Sequence, residues 1–344
     1  MAVVALGAGI AVTTLVATGL TAPGRPSDAA RRTHHNNAAP ATGHARAAGR
    51  RARGATAAGT YGVGMITLHL VDHTRTITLP GGQVVPRPLT TVVRFPTVKA
   101  SRGGRRSGTP QVPATGRFPL VVFGHGFDIM PGLYARLLRY WTSAGFVVAA
   151  PIFPLENAHA PGGPNESDLP NQPDDMRFVI SSLLRLSARR DGPLGAHVNP
   201  RAVAVAGHSD GGDTALALAY DPSLRDPNLK AAVILSGAEI PMLSAFRIAP
   251  GGPPLLATQG SADLVNLPSA TAAFFDPAPR PKFLLQLVGG SHIGPYTTDR
   301  RQLASVEGVT TAFLQYYLAH DRAAMRYMRR AGNVPRVADL RAYP

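Results

Sequence analysis

An α/β fold, with a mostly parallel sheet and helices on both faces, is what this 344-residue sequence predicts. Three observations carry the prediction. Short, continuously apolar runs alternate with amphipathic segments between residues 120 and 320, as expected of strands buried on both faces and joined by crossover helices. Ahead of them lies a stretch that alternates apolar and polar residues, which suits antiparallel strands with one solvated face. Finally, 44% of the residues are hydrophobic and none is cysteine. A core of that size needs no staples, and disulfide scaffolds, cysteine-held metal centres and a thiol nucleophile are excluded.

Residues 63–71 and 74–79 alternate around a short polar break and predict a hairpin, and residues 90–95 form another β-rich run. Residues 99–117, rich in Gly, Ser, Arg and Pro, predict a surface loop. The run 120–123 (LVVF) is the first central strand. Residues 131–144 place Leu133, Leu137, Leu138 and Trp141 at helical spacing, and residues 146–150 are the next strand. A second helix spans 174–190, its apolar side built from Met176, Val179, Ile180, Leu183, Leu184 and Leu186. Strand 202–206, helix 213–220, strands 231–235 and 255–258, helix 268–275, strand 283–288 and a closing helix 302–320 complete the alternation. One α/β domain over residues 61–320 follows.

The formal charge of +15 is confined to three segments. Residues 23–59 carry +6, residues 99–117 carry +5 and residues 321–344 carry +4, so the remainder is neutral. Charge held in appendages argues against a folded nucleic-acid groove, and no nucleic-acid partner is expected. Residues 2–20 are uncharged, so 1–22 are expected to form an export signal or membrane anchor, followed by a disordered basic linker over 23–60. A secreted or membrane-anchored, extracytoplasmic protein is the corresponding expectation. Contact of the N-terminal segment and basic linker with a membrane or cell envelope is compatible with their composition. His34, His35 and His44 fall in this tail as solvated side chains, and residues 321–344 are expected to be a basic C-terminal extension.

The segment AVAVAGHSDGGDTALALAY (202–220) runs from a buried strand into Gly207-His208-Ser209-Asp210-Gly211 and directly into a helix. That is the strand–turn–helix setting in which a G-x-S-x-G serine is thrust above the strand ends as a nucleophile. A serine hydroxyl needs a base. His292, in LVGGSHIGPY (287–296), directly follows the last core strand and so reaches the same edge of the sheet as Ser209. The base needs a carboxylate to hold its tautomer. Asp263, just after the strand at 255–258, is the expected partner, and Glu239, after the strand ending at Leu235, is its competitor.

Oxyanion donors are expected from the backbone amides of Phe127, in PLVVFGHGFD (119–128), and of Asp210. His125 is expected to brace that loop. Gly126, Asp128, Ile129 and His208 are the candidate substrate-side residues, with His208 more a packing group than an actor. No metal or organic cofactor is implied.

FPLVVFGHGF, GHSDGG, GSADLV and GGSH together resemble the α/β-hydrolase family over about residues 61–320. Within it they are most similar to dienelactone-hydrolase-like, platelet-activating-factor-acetylhydrolase-like and chlorophyllase-like secreted esterases. The resemblance implies an eight-stranded core sheet, a Ser209–His292–Asp263 triad and hydrolysis of a small-molecule or lipid-like carboxylic ester through an acyl-enzyme. Dienelactone hydrolases proper use a cysteine, which this chain lacks. Only 19 residues separate the strands ending at Leu235 and starting at Leu255, so no large cap domain is expected. An amidase or peptidase on the same triad, and a catalytically silent binding protein, are the alternatives.

Overall fold

The computed structural model describes residues 59–99, 112–189, 192, 194–243, 248 and 250–344. The expected signal or anchor, nearly all of the linker with its three histidines, and the centre of the 99–117 loop lie outside the described residues.

Among the described residues nine strands form one sheet. They are β1 (Gly62–Thr78), β2 (Val84–Thr97), β3 (Phe118–Gly124), β4 (Val147–Pro151), β5 (Val198–His208), β6 (Ala231–Leu235), β7 (Leu255–Gly260), β8 (Lys282–Leu287) and β9 (Ala338–Tyr343). Their spatial order is β1-β2-β4-β3-β5-β6-β7-β8-β9. From β4 to β8 all neighbours are parallel, while β1, β2 and β9 join antiparallel. The order doubles back at β4-β3-β5, which brings the chain to the point where ligand sites of open parallel sheets form, beyond the strand C-termini.

Helices cover both faces. Alternate strand residues point to opposite sides, so Val121 and Phe123 join one core and Leu120 and Val122 the other. The first core is closed by α1 (Ala135–Ser143), the short α5 (Gly294–Thr297), α6 (Arg300–Leu318) and α7 (Ala324–Gly332). The second is closed by α2 (Gln172–Ala188), α3 (Asp210–Tyr220) and α4 (Pro268–Phe275). Among the described residues no helix is long and apolar enough to cross a membrane.

Three expectations are corrected. The polar break at 72–73 is not a hairpin turn. Asp72 accepts hydrogen bonds from Thr74 N (2.9 Å) and Oγ1 (2.6 Å), folding residues 73–75 into a bulge within one long β1. The turn falls instead at Gly81 and Gly82, whose φ values of 89° and 85° need glycine. The sheet has nine strands rather than eight, because β9 pairs with β8 from Lys282–Tyr343 to Leu287–Ala338. Residues 321–344 are therefore part of the domain and not an appendage. Their six arginines are exposed, while Ala324, Met328, Gly332, Ala338 and Leu340 are buried.

Candidate active site

β5 delivers Ser209 at the centre of the sheet edge. Its backbone, at φ 53° and ψ −129°, lies in a region costing about 1–3 kcal/mol for a residue with a Cβ. The conformation is over-determined. Ser209 N donates to Leu235 O on β6 (3.1 Å), and Asp213 N donates to Ser209 O (2.9 Å) as α3 begins. A Cβ on Gly207 would lie 1.9 Å from Gly211 O, and one on Gly211 would lie 2.2 Å from the carbonyl carbon of Gly124. The turn closes against β3 only because both positions are glycine. The N-terminus of α3 then sits under the serine, its positive dipole end favouring developing negative charge.

His292 and Asp263 reach Ser209 from the loops after β8 and β7. His292 Nε2 lies 2.9 Å from Ser209 Oγ, and His292 Nδ1 lies 2.9 Å from Asp263 Oδ2. Asp263 is buried and aimed by its surroundings. Its Oδ1 accepts from the amides of Val265 (2.9 Å) and Asn266 (3.1 Å), and its Oδ2 from Gln259 Nε2 (3.3 Å). A carboxylate accepts and does not donate, which makes Nδ1 of His292 the donor and leaves Nε2 as acceptor for the serine proton. Glu239 does not meet His292; it lines a small cleft with Asp213, Leu216 and Leu243.

The loop after β3 is braced from beneath. His125, fully buried, receives the Phe153 amide on Nε2 (3.0 Å) and donates from Nδ1 to Gly126 O (2.9 Å). Burial holds its imidazole neutral by lowering its pKa to about 4. Asp128 N donates to Glu156 O (3.0 Å), fastening the far end of the loop. Among the described residues no hydrogen bond occupies the backbone N–H of Phe127 or of Asp210. Gly126 packs over Ser209, where a Cβ would come within 3.0 Å of the serine Cβ.

Of the expected substrate-side residues, Asp128 is exposed at the rim and Ile129 is half-buried against the core. His208 is placed differently. Fully buried, it lies behind the site, its Nδ1 2.8 Å from Tyr134 Oη and its Nε2 2.8 Å from the carbonyl oxygen of His292. Burial, and then the neighbouring His292, lowers its pKa to about 3, so it is neutral. A carbonyl only accepts, so Nε2 carries the proton and Nδ1 accepts from Tyr134. Sequence reasoning missed Tyr134, Gln259 and Glu156, each a lone polar residue whose burial only the tertiary packing reveals.

A chlorophyllase family model matches residues 108–237, a span that holds Phe127, Ser209 and Asp210 but neither Asp263 nor His292. Chlorophyllase-1 of Arabidopsis thaliana is 33% identical over 116 residues, which cover 32% of this chain and 33% of that protein. The chain thus matches about a third of the length of this curated relative. The sheet and its covering helices form an α/β-hydrolase-like fold, and the matched segment is similar to the chlorophyllase family.

Proposed function

We propose that the chain is a serine hydrolase that cleaves carboxylic esters through an acyl-enzyme. The observation that carries this reading is the unbroken relay of two 2.9 Å contacts, Ser209 Oγ to His292 Nε2 and His292 Nδ1 to Asp263 Oδ2. Ser209 Oγ attacks the ester carbonyl carbon while His292 takes its proton, and Asp263 stabilises the imidazolium without being protonated itself. The amides of Phe127 and Asp210 hold the tetrahedral oxyanion. His292 returns the proton to the leaving alcohol, then deprotonates the water that releases the acid and regenerates the serine.

The rim supports an ester with a sizeable apolar part. Leu264, Val265 and Leu267, which directly follow the triad acid, are 86%, 67% and 50% exposed. Single exposed apolar side chains are ordinary, but three within four residues beside the site offer a surface for acyl or alcohol chains. Export or anchoring through residues 2–20 belongs to the same proposal, supported by their uncharged composition.

Turnover of a p-nitrophenyl ester by Ser209→Ala tests the reading. A loss of about 10⁴-fold or more in kcat is expected, and activity close to wild type would remove Ser209 from the mechanism.

A further inference from the structure

Glu156 sits in the loop after β4, fully buried, and Asp210 follows the nucleophile, nearly as buried. Their carboxyl groups face each other. One oxygen of each, Glu156 Oε1 and Asp210 Oδ2, finds no N–H or O–H donor among the described residues. Two ionised carboxylates have no proton to bond with, so such a pair is completed by a proton held between them. The rest of Glu156 is fixed. Gln172 Nε2 donates to its Oε2, and Thr214 Oγ1 donates to Gln172 Oε1 (2.9 Å), which turns the Gln172 amide nitrogen toward the carboxyl. The backbone oxygen of Glu156 anchors Asp128 in the loop that carries Phe127.

We propose that Glu156 is a positioning residue for the ester hydrolysis inferred above, sharing one proton with Asp210 so that a single negative charge, rather than two, lies beside the nucleophile. Asp210 Oδ1 is 3.5 Å from Ser209 Oγ. A second charge there would compete with His292 for the serine hydroxyl and oppose the oxyanion forming between the Phe127 and Asp210 amides.

The groups facing the pair favour retaining the proton. Glu166 acts on Asp210, Asp168 acts on Glu156, and Asp213 on α3 is a further acidic neighbour of Asp210. Asp168 is offset by Arg87, whose Nη2 lies 2.6 Å from it. Tyr134 also faces Asp210 and is held neutral by burial. His292 acts the other way when both of its ring nitrogens carry protons. Burial first, and then Asp210, pushes Glu156 up to about 9; burial first, and then Glu166, raises Asp210 as well. The pair therefore keeps its proton at neutral pH and releases it to solvent in alkaline solution.

The proposal rests on the serine-hydrolase reading for its kinetic consequence, but not for the proton itself, and two measurements separate them. In the pH profile of kcat, wild type should fall about tenfold per unit above pH ~9. Glu156→Gln supplies a permanent N–H donor to Asp210, so it should lack that fall and stay within about threefold of wild type at pH 7. Glu156→Ala also leaves a single charge beside Ser209 and should likewise lack the fall. An alkaline fall unchanged in Glu156→Gln would overturn the proposal.

The second measurement is the infrared difference spectrum between wild type and Glu156→Gln at pH 7, or Asp210→Asn if the first variant does not fold. A carboxylic-acid band present in wild type and lost in the variant supports the shared proton, and its absence from wild type overturns it. Recording the same difference spectrum in the Ser209→Ala background reads the proton in a protein without that hydroxyl. If Ser209→Ala remained active, the functional reading would fail while the band persisted.

Discussion

His208 Nε2 donates to the main-chain carbonyl of His292 across 2.8 Å, so one histidine holds the backbone of another beneath the candidate nucleophile. The contact fixes the height of the His292 ring, and Tyr134 fixes the tautomer that makes the contact. His208 thereby supports the site from behind, at a position fully shielded from any substrate.

His208→Ala is expected to lower kcat by about 10- to 100-fold with little change in KM, because it frees the His292 backbone without altering the substrate face. Steady-state kinetics on a soluble ester checks this. A rise in KM at constant kcat would return His208 to the substrate side.

Asp263→Asn should lower kcat by about 10³- to 10⁴-fold, since an amide no longer selects the Nδ1–H tautomer of His292. Glu239→Gln should stay within about twofold, as Glu239 lines a separate cleft. Measuring both variants side by side decides between the two carboxylates. A large loss in Glu239→Gln alone would reverse the assignment.

Converting the apolar rim to acid, as in Leu264→Asp with Val265→Asp, should raise KM for long-chain esters by about tenfold or more while leaving short-chain esters within about threefold. The exposure of both side chains makes a large folding penalty unexpected. Equal effects on long and short substrates would show that the rim does not touch the apolar chain.

Much of this architecture is legible in the sequence, because parallel strands buried on both faces leave continuous apolar runs that little else mimics. The 231–235 strand and the 268–275 helix coincide with β6 and α4 residue for residue. The meeting of Ser209, Asp263 and His292 is legible for a related reason. Each lies within a few residues of the C-terminus of a core strand, and parallel strands bring those ends to one edge.

Other features depend on contacts remote in sequence. The composition of residues 321–344 is dominated by arginine, which hides the fact that the opposite faces of α7 and β9 are small and apolar. Gly332 shows the packing: a Cβ there would lie 2.6 Å from Leu340 Cβ. The bulge at Asp72 is likewise stabilised from outside its own strand, since Arg75 reaches both Asp72 and Asp175 on α2. Glu156 carries no local sign of burial, because Gln172, Thr214 and Asp210, which enclose it, come from later elements.

The central claim concerns the reactivity of one hydroxyl, and covalent labelling reads it directly. Full-length protein treated with a fluorophosphonate probe and mapped by peptide mass spectrometry should carry the adduct on Ser209, and Ser209→Ala should carry none. An unlabelled wild-type protein that is folded, or an adduct on another residue, would contradict the account.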